Sequence, residues 1–291
     1  MERLLIWESL KLVNTMKYIN SFFNYFKTDP RRLQFMMLWS YSIIALEVFN
    51  HERPHTVTIL TFLSTLVTDK VLSHFFHRRS NSFLPAAIIS PSICTLCYSI
   101  SFWPYMLAGV LSAMSKSLLL YKGRHIFNPS NFGITITILL FPNWITGISN
   151  VFSGMKYVGF YFLISGLINA INSKTLHISI MYLIGMASSF WLRGVLIDRM
   201  LSPSVFIELT LNPILLIFCF HMINDPATTP RNKKLAMLYG YLLGVLYVVF
   251  SINGSTHGHF FSLFIVTMFI PFLRDYEEKQ RNMNTNTIQP T

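Results

Sequence analysis

Residues 104–133 read PYMLAGVLSAMSKSLLLYKGRHIFNPSNFG, and this stretch decides the kind of fold that the chain adopts. An apolar segment of membrane-helix length ends in the basic turn KGRH, and a second apolar segment follows Asn128-Pro129. Proline suits the first turn of a helix because its missing N–H would have no partner there, and the preceding asparagine can cap the free amides. The pattern predicts two membrane helices joined by a short basic loop.

The composition extends this prediction to the whole chain. Of the 291 residues, 52% are hydrophobic and only 12% are charged, and the mean hydropathy is +0.47. A soluble domain usually carries about 25% charged residues. We therefore predict an all-α, polytopic membrane protein whose first partner is the lipid bilayer. The net charge of +11 is spread over short loops and forms no basic stripe interleaved with aromatic residues, so we expect no nucleic-acid partner.

Ten apolar stretches are long enough to be membrane helices, since about 20 residues cross the hydrocarbon core. They divide the chain into a basic amphipathic N-terminal segment (1–32), a ten-helix membrane domain (33–275) and a polar tail predicted to be disordered (276–291). The predicted spans are 34–50, 56–76, 82–102, 104–121, 130–148, 155–171, 178–197, 205–222, 234–252 and 258–273.

The distribution of basic residues predicts the orientation of these spans. With the N-terminus inside, 17 of the 23 lysines and arginines lie in inside segments or at the span ends next to them, and four lie in outside loops or at the span ends next to them; the other two, Lys70 and Lys116, lie deeper within spans. Cytoplasmic loops carry the excess of positive charge in membrane proteins. The pattern therefore predicts that both termini are cytoplasmic.

A second polar interruption, residues 220–230 (FHMINDPATTP), is similar to the first. Its Asp225-Pro226 pair predicts another helix start, capped by Asn224 or Asp225. Two capped helix starts at a membrane boundary would create local sites of positive potential. These two polar segments are therefore the best candidates for a binding site.

Among the charged residues, Lys116 is the most informative. It lies six residues before the loop at Lys122, deep enough that its ammonium needs either a partner or a route to the interface along its flexible stem. The three cysteines, Cys94, Cys97 and Cys219, fall in apolar segments and are interpreted as packing residues. The histidines show no ligand spacing, so we expect no metal site and assign no catalytic residue.

The residues from Leu107 to Gly133, with Lys116 followed by Phe127-Asn128-Pro129, resemble the NqrB/RnfD family of membrane subunits. The segment from Met222 to Pro230 is similar to the Met-Ala-Thr-Asp-Pro-Val-Thr-Ser-Pro motif of the same family. These proteins are subunits of the sodium-translocating NADH:quinone reductase and of the Rnf electron-transport complexes. In its compactness the chain resembles the reduced members encoded in enediyne biosynthetic clusters more than a full pump subunit.

This resemblance implies two inverted five-helix repeats, residence in the bacterial cytoplasmic (inner) membrane, other membrane redox subunits as partners, and at most a subunit role in an oxidoreductase. It also implies a flavin, riboflavin or FMN, in transmembrane electron transfer. A covalent FMN is not expected, because residues 144–157 contain Ser153-Gly154 but no threonine at the acceptor position. A transporter of flavin-like molecules and a non-catalytic membrane scaffold remain alternatives. The residues predicted to bind the cofactor are Lys116, Asn128, Pro129, Asp225, Pro226 and Thr228.

Overall fold

The computed structural model describes residues 29–47, 55–76, 82–147, 156–197 and 202–286. Nearly all of the predicted N-terminal segment, residues 1–28, lies outside the described residues. The described chain is helical apart from short loops and four two-residue strands, which agrees with the predicted all-α class.

Helices follow one another through the first half of the chain, and the strands lie in the loops between them. The elements are α1 (Pro30–Glu47), α2 (His55–Phe75), α3 (Leu84–Leu96), β1 (Cys97–Tyr98), α4 (Trp103–Leu118), β2 (Leu120–Tyr121), β3 (Arg124–His125), α5 (Pro129–Leu140) and β4 (Thr146–Gly147).

The second half is helical throughout and contains two bent helix pairs. Its elements are α6 (Lys156–Asn172), α7 (Leu176–Leu196), α8 (Pro203–Thr210), α9 (Pro213–Ile217) with a π-helical turn at Phe218–Met222, α10 (Lys233–Ile252), α11 (Gly258–Met268) and α12 (Ile270–Asn286).

Three described helices, α2, α7 and α10, are long and apolar enough to cross a membrane, and the two bent pairs raise this number to five. All ten predicted apolar stretches contain a helix or a bent pair, but α3 and α5 have only 13 and 12 residues. Pro142 explains the early end of α5, because a proline disfavours helical geometry in the residue before it. Large apolar side chains are exposed along the helices, as lipid-facing surfaces require.

The bend between α8 and α9 measures 56° and occurs at Asn212-Pro213. Asn212 caps α9 by accepting a hydrogen bond from the amide of Ile214, so a second helix starts inside one apolar stretch. α11 and α12 meet at 43°, next to Pro271. Broken apolar helices often surround binding sites in membrane proteins, because the freed backbone groups must find partners in the protein.

α7 and α10 pack with their backbones in close contact. A side chain added at Gly185 would collide with the carbonyl of Tyr241, and one added at Gly244 would collide with the carbonyl of Tyr182. Small residues allow this approach between membrane helices, where van der Waals packing replaces the hydrophobic effect.

Helix α12 continues to Asn286, whereas residues 276–291 were expected to be disordered. The expectation is wrong for residues 276–286, and ties to other loops give the reason. Lys122 forms ion pairs with Asp275 and Glu278, and Glu277 accepts a hydrogen bond from the amide of Asn232. A polar composition alone could not indicate these contacts, because their partners lie far away in the sequence.

Candidate functional site

The first polar segment forms a tight hairpin followed by a capped helix. β2 and β3 pair antiparallel around Lys122-Gly123, and both of these residues have positive φ angles (49° and 74°). Such a two-residue turn favours glycine at its second position. Asn128 then accepts a hydrogen bond from the amide of Asn131, 3.1 Å away, and Pro129 occupies the first turn of α5. The structure thus agrees with the helix start predicted here.

The second polar segment does not start a helix, so the prediction for Asp225-Pro226 is wrong. The Asp225 carboxylate accepts from the amide of Ala227 at 2.9 Å, and its carbonyl accepts from the amides of Thr228 and Thr229. Pro230 comes only four residues after Pro226, and it would remove the hydrogen bond that a continuing helix needs. The next helix starts at Lys233 and is capped by Asn232.

The two polar segments meet at one end of the helical bundle. Nε2 of His125 lies 3.0 Å from Oδ2 of Asp225, and Arg124 donates to the carbonyl of Pro226. Burial alone would raise the pKa of the Asp225 carboxyl, but the charge and hydrogen bond of His125 and the Ala227 amide hold it below its usual value. Asp225 therefore joins the two loops as a carboxylate.

Arg274, which the sequence did not single out, fastens both loops together. It is 7% exposed, and its guanidinium donates to four backbone carbonyls. Three of them belong to the first loop (Tyr121, Arg124 and His125) and the fourth, 2.6 Å away, belongs to Ala227 in the second. Only the forked geometry of arginine spans such a set. A single arginine at the end of the last apolar stretch was the one available sequence signal.

Lys116 has the partner that its depth in the apolar segment required. Its ammonium lies 2.8 Å from Oδ1 of Asp69 on α2, whose side chain is only 4% exposed. The sequence interpretation in which Lys116 reaches the interface alone is therefore wrong. The packing of α2 against α4 buries Asp69.

A cavity of about 390 Å³ lies where these elements converge. Five of the six residues predicted to bind a cofactor line it: Lys116, Asn128, Pro129, Asp225 and Pro226. Thr228 does not; it is fully buried, and its hydroxyl donates to the carbonyl of Asp225. The volume lies within the usual range for small-molecule sites.

The walls of this cavity combine apolar and polar surfaces. Pro85, Ile88 and Ile89 of α3 supply apolar contacts, whereas Asn169, His221 and Asn224 are polar. Each of these three polar residues carries one buried nitrogen or oxygen that has no hydrogen-bond partner among the described residues. No local sequence pattern pointed to Asn169, and His221 was not among the predicted site residues.

A second cavity, of about 340 Å³, lies at the C-terminal end of α10, near Gly254 and Ser255. Gly147, Asn212 and His259 also line it, and none of the described residues that line it is a lysine, an arginine or an acidic residue. Nδ1 of His259 lies 3.1 Å from the hydroxyl of Tyr182, and its ring stacks on Tyr247.

The fold and the first cavity define a polytopic helical membrane protein with a small-molecule-sized polar cavity at one end of its bundle. Residues 148–283 match the model of the NQR2, RnfD, RnfE family, which confirms the relationship that the motifs predicted. The first polar segment lies outside this match, and its likeness to the family rests on its motif alone. No curated protein matches the chain.

Proposed function

We propose that the chain is a flavin-binding membrane subunit that takes part in transmembrane electron transfer. One observation carries the proposal: the two family-like motifs, which are far apart in the sequence, line a single cavity of ligand size together with Lys116. The matched family is generally associated with flavin and with membrane electron-transport complexes. Membership favours a multi-subunit assembly in a bacterial inner membrane.

The proposed topology has ten spans in two inverted five-helix repeats, with both termini cytoplasmic. The packing supports it. In the first half, α2 packs on α4 and α4 on α5; in the second half, α7 packs on α10 and α10 on α11. If the helices are numbered as spans, span 4 packs on spans 2 and 5 in the first half, and span 9 packs on spans 7 and 10 in the second half. Each span of the first set corresponds to the span five places later, as two five-helix repeats require. The contact between the two polar segments also supports their placement on one side.

The composition of the cavity fits a flavin. A flavin has a flat, largely apolar ring system and a hydroxyl-bearing chain, and the cavity offers apolar walls from α3 beside polar groups that lack partners. When bound, the flavin supplies one- or two-electron redox chemistry. We propose that the binding is non-covalent.

The residues of this chain would bind and tune the flavin. Lys116 places a positive charge at the cavity wall, where it favours negative charge on a ligand. Asn128 and Pro129 present the amino end of α5, whose dipole acts in the same direction. Asp225 and Pro226 form the opposite wall, and Thr228 supports their loop from behind.

The absorption spectrum of the purified protein tests the proposal. A flavin spectrum that leaves with the supernatant after acid precipitation is expected, and colour that stays with the precipitate would contradict non-covalent binding. Colourless protein that moves added riboflavin into vesicles would indicate a transporter. Colourless protein that neither binds nor moves riboflavin would indicate a scaffold.

Two variants then test the site. Lys116→Ala should lower the flavin content more than Asn128→Ser, because serine still caps α5 whereas alanine removes the positive charge. Equal flavin content in both purified variants would remove Lys116 from the site.

A further inference from the structure

The hydrogen bonds around His221 determine which of its ring nitrogens carries the proton. The hydroxyl of Ser165 lies 2.6 Å from the carbonyl of Tyr161 and donates to it. The Tyr41 hydroxyl, 2.5 Å from Ser165, must therefore donate to Ser165, since the one proton of Ser165 is already used. Tyr41 can then only accept from Nε2 of His221, 3.2 Å away. In the neutral ring, Nδ1 is left as an acceptor.

The two asparagines are oriented by similar reasoning. Nδ2 of Asn169 lies 2.9 Å from the carbonyl of Phe220, and Nδ2 of Asn224 lies 3.2 Å from the carbonyl of Cys219. A carbonyl only accepts, so in each amide the nitrogen must face it and the oxygen must face away. Oδ1 of Asn169 and Oδ1 of Asn224 are therefore acceptors, both buried and without a partner among the described residues.

Three residues of one cavity wall thus hold three unsatisfied acceptors, and each residue is only 3% exposed. A buried polar group without a partner costs about 1–3 kcal/mol. A ligand rich in hydrogen-bond donors would remove this cost. We propose that Asn169, His221 and Asn224 bind the hydroxyl-bearing chain of the flavin and so select flavins that carry this chain, an inference that rests on the proposed function.

The donor count of a flavin favours its chain over its ring. The oxidised ring presents a single N–H donor among several acceptors, whereas the sugar-alcohol chain carries several hydroxyl donors. Three neighbouring acceptors therefore match the chain and not the ring edge. The ring is left to the apolar walls from α3 and to the positive charge of Lys116.

Binding of two flavins tests the assignment on the purified full-length protein in detergent after its flavin has been removed. Riboflavin carries the chain, and lumiflavin has a methyl group in its place. Fluorescence quenching should show that the wild type binds riboflavin about tenfold more tightly than lumiflavin, because several hydrogen bonds are lost with the chain. Equal affinity for both would overturn the inference and leave the flavin function standing. Binding of neither would overturn both.

A matched pair of variants separates the two nitrogens of His221. His221→Gln places a donor near the Nε2 position, facing Tyr41, and removes the acceptor at Nδ1; His221→Asn keeps an acceptor near the Nδ1 position. The preference for riboflavin should fall about fivefold in His221→Gln and persist in His221→Asn. An unchanged preference in His221→Gln would overturn the assignment.

Two further variants distinguish the loss of an acceptor from misfolding of the protein. Asn169→Leu is nearly isosteric and removes one acceptor, while Asn224 still donates to the carbonyl of Phe220. It should lower the preference for riboflavin without changing the affinity for lumiflavin. Tyr239→Phe removes a buried hydroxyl that has no hydrogen-bond partner among the described residues, on a residue that does not line the cavity, and it should leave the preference unchanged. A preference that survives in Asn169→Leu, or falls equally in Tyr239→Phe, would contradict the inference.

Discussion

The two cavities are nearly equal in volume, about 390 and 340 Å³, but they differ in chemistry. The first is lined by Lys116 and Asp225 and has three wall residues with unsatisfied acceptors. The second has no charged side chain among the described residues that line it, and its His259 already bonds to Tyr182.

Volume therefore does not distinguish the two cavities, whereas unsatisfied polar atoms do. A protein that buries polar groups without partners loses stability unless a ligand pairs them. In the second cavity, none of the described wall residues carries a buried polar side-chain atom without a partner. The experiments below test this difference between the two cavities.

Arg274→Ala should have the largest effect, because it releases four carbonyls and separates the loops that enclose the first cavity. We expect a loss of flavin and a destabilisation of about 3 kcal/mol or more. Hydrogen exchange should rise in residues 120–126 and 223–229 and stay unchanged in residues 253–260 beside the second cavity. Arg274→Lys, which keeps the charge but lacks the fork, should recover only part of the stability. Full recovery would contradict the role given to the fork.

Asp69→Asn should have a smaller effect on the first cavity. The carboxylate of Asp69 is buried, whereas the Lys116 side chain is 25% exposed and can be partly solvated alone. We expect Asp69→Asn to cost about 1–2 kcal/mol of unfolding free energy. Lys116→Ala should cost about 3 kcal/mol, because the buried carboxylate of Asp69 then loses its ion pair.

A double-mutant cycle measured by unfolding in detergent checks this asymmetry. Lys116→Ala should cost less unfolding free energy in the Asp69→Asn background than in the wild type, because position 69 then carries no carboxylate that could lose its ion pair. Asp69→Asn should also retain more flavin than Lys116→Ala. Equal losses of flavin would show that Lys116 acts only through its ion pair.

The sequence predicts well those features that depend on neighbouring residues. The apolar stretches and the Asn128 cap need only local spacing, and the structure has a helix at each of these places. The helix start predicted at Asp225-Pro226 is wrong because Pro230, only four residues after Pro226, prevents a helix from continuing there. The Asp69–Lys116 pair, the Arg274 contacts and the three acceptors join residues that are far apart in sequence, and no spacing rule reveals them.

Matched cap variants compare the two cavities directly. Asn128 caps α5 beside the first cavity, and Asn212 caps α9 beside the second, with φ angles of −61° and −62° and equal ψ angles of 122°. Asn128→Ala and Asn212→Ala should each cost about 1 kcal/mol. Only Asn128→Ala should lower the flavin content, measured by absorbance per mole of protein. A similar loss of flavin in Asn212→Ala would mean that the two cavities do not differ in function.

The smallest effect concerns the charge of Asp225. Because the pKa of Asp225 is lowered in the folded protein, its stabilising contribution is complete above the unfolded value near 3.8 and is lost as the pH falls through the folded value. The difference in unfolding free energy between wild type and Asp225→Asn, about 1 kcal/mol or less, should therefore stay constant from about pH 8 to pH 5 and close only below about pH 4. A difference that already closes well above pH 4 would show that the charge of Asp225 does not hold the two loops together. The second cavity, with no charged wall residue among those described, supplies the reference: hydrogen exchange in residues 253–260 should not differ between wild type and Asp225→Asn at any of these pH values.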